Sequence, residues 1–184
     1  MKVFFLASPA GFGQYKQNYQ EIGEAIESFG HKHTYDFILC FNETFFQLPK
    51  NKWPDHYKKA VSSLQRADVA VFEVTVSSLA IGQLLQQAIL LGKPVIALHT
   101  QAYNPIFLGG AEDIESRLQV LEYSLENVRE VVKDALDYAQ VWLDFRFTMI
   151  LDSEIKIHLD KVTENGINRS EYIRNLIKKD MEGK

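Results

Sequence analysis

The chain has very little cysteine, tryptophan, methionine or proline: one, two, three and five residues respectively among 184. A single thiol, Cys40 in the apolar run FILCF, excludes an intramolecular disulfide. That fits a reducing, cytoplasmic setting, and Cys40 reads as a small buried residue rather than a nucleophile. Charge is also short in one place. From Val74 to Gly92 no side chain is ionisable, although the stretch contains three glutamines, two serines and a threonine. Those polar groups, and flanks typical of a strand-loop-helix unit, argue against a membrane span. The start, MKVFFLASP, has an apolar run too short for a signal peptide and reads as a buried first strand. The net charge of −4 does not suggest that the whole chain binds a polyanion. The five histidines are scattered. His31 and His33 have no acid beside them, so neither a metal site nor a cofactor is expected.

What is present is alternation. KVFFLA (2–7), YDFILC (35–40), DVAVFEV (68–74), PVIAL (94–98) and LQVLEY (118–123) read as strands. Helical spacing marks 15–29, 54–66, 79–91 and about 125–143, with Pro54 opening the second and Gly30 and Gly92 closing the first and third. A loop of nearly twenty residues precedes the fifth strand. Strands alternating with helices imply right-handed crossovers and a parallel sheet covered on both faces. The expected class is α/β, a flavodoxin-like five-stranded sheet of order 2-1-3-4-5. Its ligand site would lie at the carboxyl ends of the first and third strands. The loops there are ASPAGFG (7–13) and TVSSLAIG (75–82).

A helix start after Ser77 and Ser78 offers unpaired N–H groups and partial positive charge. With Gly82 keeping the first turn slim, and Ser8 and Gly11 on the facing loop, the pattern could cradle a phosphate. It is equally the pattern of an ordinary capped helix.

ADVAVFEVTVSSLAIGQLLQQAILLGKPVIAL (67–98), with Glu73, Val74, Thr75, Ser78, Gly82 and Lys93 in place, resembles the nucleoside 2-deoxyribosyltransferase superfamily. Within it the likeness is to the 2'-deoxynucleoside 5'-monophosphate N-glycosidases, and it extends loosely over about 1–135, including FFLASPAG (4–11). The resemblance implies a nucleotide or related phosphorylated small molecule as ligand. It also implies a catalytic Glu, Asp and Tyr, and these positions hold Leu84, Ala60 and Phe4. Asp55 is about 140° round its helix from Ala60, and Gln83 and Gln86 cannot serve as acids. Glu73 is the one carboxyl left to consider for a substituted mechanism, against a structural role bonding loop N–H groups. With no catalytic residue at the family positions, the expectation is a non-catalytic nucleotide sensor. The alternative is an N-glycosidase or deoxyribosyltransferase with rearranged residues, and a third reading is an interaction protein with no ligand.

The pattern changes after about 143, dividing the chain into expected domains of 1–143 and 144–184. RFTMIL (146–151), a helix over 153–165 and NGINRSEYIRNLIKK (165–179) resemble a ribbon-helix-helix module of the Arc, MetJ and CopG type. That resemblance implies a homodimer or higher even oligomer and double-stranded DNA as partner. Arg146, Thr148 and Ile150 would face bases, and Asn168, Arg169 and Ser170 would hold phosphate. Eight Lys/Arg against seven Asp/Glu in 146–184 is a weak balance for DNA, so a dimer clasp or a protein partner stands beside that reading. The expectation for the whole chain is a cytoplasmic regulator in which ligand binding repositions paired tails.

Overall fold

The computed structural model describes residues 1–112, 117–143, 151–164 and 169–182, and the chain divides into two compact units, 1–144 and 145–184. The first unit opens with β1 (Lys2–Leu6), α1 (Phe12–Ser28), β2 (Lys32–Tyr35), α2 (Trp53–Arg66) and β3 (Val69–Glu73). It continues with α3 (Leu79–Leu90), β4 (Val95–His99), α4 (Ile106–Glu112), β5 (Leu118–Glu122) and α5 (Val128–Val141). All strand pairs are parallel and the order is β2-β1-β3-β4-β5, as the alternation predicts.

The central strands are continuous apolar runs because both faces are covered. Val3 and Phe5 of β1, Val69 and Val71 of β3, and Ile96 and Leu98 of β4 point to one face, where they meet α1 and α5. Phe4 and Leu6, Ala70 and Phe72, and Val95 and Ala97 point to the other, against α2 and α3. Gly30 (φ 79°) and Gly92 (φ 61°) end α1 and α3 in the left-handed region, where a Cβ is strained.

Two elements differ from the sequence expectation. The second strand is Lys32–Tyr35, not 35–40. Its apolar run FILC leaves the sheet instead. Ile38 is fully buried, and Leu39 packs so closely on α1 that a Cβ at Gly23 would lie 2.4 Å from it. The run thus begins an aromatic excursion before α2, in which Phe37 and Phe45 bracket His56 at ring distances of 4.8 and 4.9 Å. Burial there, with Lys59 nearby, holds the His56 pKa below its ordinary value. The second difference is α4, a short helix within what reads as a loop.

The second unit contains α6 (Ser153–Glu164) and α7 (Arg169–Glu182). Asp152 accepts from the Ile155 N–H at the start of α6. His158 and Tyr172 share a hydrogen bond of 2.9 Å between the two helices. The expected tail strand, with Arg146, Thr148 and Ile150, lies outside the described residues apart from residue 151, which is not in a strand. Asn168 lies outside them too.

Candidate functional site

Parallel strands put every strand's carboxyl end on one edge, and the loops after β1, β3 and β4 meet there. Ser8, at 2% exposure, caps a short 3-10 turn at residues 9–11, and Ser78 is the N-cap of α3. Neither hydroxyl bonds a backbone N–H of its own helix. Both are therefore uncommitted as caps, which a phosphate-holding serine requires. Ser77 lies beside Ser78, and open space surrounds the position a Cβ would take at Gly82. Gly11 is different. A Cβ there would lie 2.3 Å from the Tyr19 hydroxyl and 2.7 Å from Val76, so close contact between the β1 and β3 loops already explains this glycine. Lys93 donates to the backbone carbonyls of Gln65 and Ala67, which ties the α3–β4 turn to the end of α2.

Phe4, Ala60 and Leu84, the positions matched to the family's acids and tyrosine, are buried members of a single apolar cluster with Phe72 and Leu85. Phe4 stacks on Tyr35 at 5.3 Å. These positions are packed core and present no ionisable group.

The ionisable group lies on the opposite face. Glu73, the last residue of β3, is the one fully buried carboxyl among the described residues. Its Oε1 accepts from the Thr75 backbone N–H at 3.3 Å, from the Thr75 hydroxyl and from the Tyr123 hydroxyl at 3.2 Å. Its Oε2 is buried with no partner among the described residues. Thr75 Oγ1 in turn accepts from the Thr100 N–H at 2.9 Å, joining the β3 and β4 ends. Tyr19 donates to the Ser8 carbonyl at 3.3 Å, joining α1 to the β1 loop. Asn18 donates to Tyr123. Burial raises the Glu73 pKa above its ordinary value, partly opposed by the Thr75 and Tyr123 hydrogen bonds and by His99. Burial and the Glu73 charge likewise push the Tyr123 and Tyr19 hydroxyls upward.

The carboxyl was legible as a candidate, but its surroundings were not. The available signal was on α1. Asn18 is a polar residue four positions before Ile22 on the inward face, where the helical pattern calls for an apolar one.

In the second unit, Arg169 pairs with Asp160 at 2.5 Å through one guanidinium nitrogen. Ser170 belongs to α7.

No family model matches the chain. The 5-hydroxymethyl-dUMP N-hydrolase of Mus musculus is 35% identical over 79 residues, covering 41% of this chain and 45% of the mouse protein. The match therefore spans about half the length of that relative. Among solved structures, a CMP N-glycosidase of Clostridium botulinum aligns with a TM-score of 0.51 at 16% identity, covering 75% of this chain and 99% of that one. The mouse protein is named an N-hydrolase, which overturns the expectation of a non-catalytic sensor, and nothing in the comparisons supports a DNA-binding regulator. The comparisons thus show a shared fold with the clostridial protein and a partial sequence likeness to the mouse protein, in keeping with the superfamily resemblance carried by residues 67–98.

Proposed function

We propose that the first unit binds a nucleoside 5'-monophosphate at the carboxyl edge of its sheet and cleaves the N-glycosidic bond, with Glu73 as the acid. The observation that carries this reading is the sealed Glu73 carboxyl with its unspent Oε2. The names of the mouse and clostridial proteins support the reaction class. Ser8, Ser77, Ser78 and Gly82 would hold the phosphate at the start of α3, with Gly11 keeping the β1 loop close. In the reaction the bond from the anomeric carbon to the base nitrogen breaks, and its electron pair leaves with the base. The Glu73 proton passes to the base. Water adds to the anomeric carbon and returns a proton to Glu73. The products are free base and a sugar 5-phosphate. Because Glu73 is sealed from solvent, the ligand has to displace the side chains that cover it.

The phosphate role is tested by binding. Ser8→Ala and Ser78→Ala should each weaken nucleoside monophosphate binding about 10-fold, the loss of one hydrogen bond to a charged group. Nucleosides lacking the phosphate should bind both variants as they bind wild type. Isothermal titration with CMP and cytidine reads both quantities. Equal losses for the two ligands would remove phosphate from the assignment.

The second unit has a separate reading, favoured by one observation. Leu159 is its only buried hydrophobic residue among those described, while Ile155, Ile157, Leu176, Ile177 and Met181 are exposed. A unit of this size with so little core rarely folds alone. We infer that it joins copies of this chain, in the manner of a ribbon-helix-helix clasp, giving a homodimer or higher even oligomer. Light scattering of the full chain should report at least two copies. Ile177→Asp should shift it to one copy, and an unshifted mass would refute the clasp.

A further inference from the structure

The arrangement of donors round Glu73 goes further than identifying a buried acid. An ionised carboxylate has two equivalent oxygens, and a folded protein ordinarily shares its donors between them. Here every donor goes to Oε1: the Thr75 N–H, the Thr75 hydroxyl and the Tyr123 hydroxyl. Oε2, equally buried, receives none among the described residues. The Tyr19 hydroxyl proton is committed elsewhere, since Tyr19 donates to the Ser8 carbonyl. The Asn18 amide donates to Tyr123 rather than to the carboxyl. The other facing groups are His99 at the end of β4, which bonds the Thr100 carbonyl through Nδ1, and Thr100, whose hydroxyl is also buried without a partner. This is the pattern of a neutral carboxylic acid whose carbonyl oxygen is Oε1.

We propose that the Glu73 proton resides on Oε2, uncommitted to any protein acceptor, and that Tyr123 and Thr75 are the positioning residues that put it there. The proposal rests on the N-glycosidase reading for its purpose: a proton with no protein acceptor is free to go to a departing base. The location of the proton is a property of the resting protein. Tyr123 reaches Glu73 from 50 residues away, so the device is assembled by the fold and not by a local motif.

Isotope-edited infrared titration of the full chain, labelled with carboxyl-13C glutamate, measures this directly. The Glu73 band is identified by its loss in Glu73→Gln. A neutral carboxyl should persist above the ordinary value of 4.5 in wild type. Tyr123→Phe and Thr75→Val each remove a donor that favours the ionised form, so each should move the midpoint upward by about one pH unit. Thr75→Ser keeps the hydroxyl and should restore the wild-type midpoint, which a merely structural role for Thr75 does not demand. The falling alkaline limb of the base-release profile should move by the same amount. An ionised Glu73 down to its ordinary value, or a midpoint unmoved in both Tyr123→Phe and Thr75→Val, would overturn the proposal. Absence of base release in every variant would instead sink the N-glycosidase reading, while the titration still decides whether Glu73 holds a proton and whether Tyr123 and Thr75 govern it.

Discussion

Glu73→Gln is expected to lower base release by at least about 100-fold, the loss of a positioned general acid, and at the same time to make the protein more stable at pH 8. The two effects share one cause. Gln is isosteric, and its amide oxygen can take the Oε1 place and keep the Thr75 and Tyr123 hydrogen bonds. What is lost is the ionisable proton and the penalty for a buried charge. The folded pKa of Glu73 is raised by burial, so the folded state holds its proton more tightly than the unfolded chain. The Glu73 contribution is therefore most favourable below 4.5 and is lost as pH rises through the higher folded value. The advantage of Gln should accordingly be largest at alkaline pH and vanish in acid. For a unit of this size each kcal/mol gained appears as roughly 2–4 °C in Tm. Thermal melts at pH 8 and pH 4 read the effect. A Gln variant that melts below wild type at pH 8 would mean that Glu73 is an ionised structural anchor, as a carboxylate bonding loop N–H groups would be.

Leu84→Glu is expected to be severely destabilising and to add no activity. It returns a carboxyl to the position the family resemblance assigns to its catalytic Glu. That position is only 6% exposed, packed in an apolar cluster with Phe4, Ala60, Phe72 and Leu85. Leaving an uncompensated charge there costs about 3–5 kcal/mol, a large part of a domain's stability. Urea unfolding measures the loss as a lowered midpoint, larger at high pH where the carboxyl must ionise. If Leu84→Glu folded with an unchanged midpoint and accelerated base release, the apolar cluster would be an open pocket that had lost its acid, and Glu73 would be unnecessary.

The parts of the fold that were readable are those where one physical rule dominates. β1, β3 and β4 are buried on both faces, so their sequences are nearly uninterrupted Val, Phe, Leu, Ile and Ala, and the alternation with helices fixes a parallel sheet. The second strand was misplaced because an apolar run has two uses. FILC could have filled a strand, but tertiary packing placed Ile38 and Leu39 against α1 and left the shorter KHTY to pair with β1. α4 was missed because IFLGGAE contains two adjacent glycines, poor helix formers that read as loop.

The site divides in the same way. Ser78 and Gly82 are local features of a strand-loop-helix junction, and their place at the edge follows from chain order. Glu73 was visible as a carboxyl ending a strand. Its surroundings were not, because Tyr123 comes to it from beyond β5 and Thr100, beyond β4, bonds its partner Thr75. No spacing rule links positions 73 and 123. The sequence displays the three apolar replacements, whereas the enclosure of Glu73, the one fully buried carboxyl among the described residues, arises only in the fold.

The most direct measurement is single-turnover base release, with the full chain in molar excess over each member of a nucleoside 5'-monophosphate panel and free base resolved by chromatography. The expected result is stoichiometric free base and sugar phosphate from at least one member with wild type, and none above background with Glu73→Gln. No free base from any member with wild type, or equal release by both proteins, would contradict the assignment of Glu73 as the acid of an N-glycosidase.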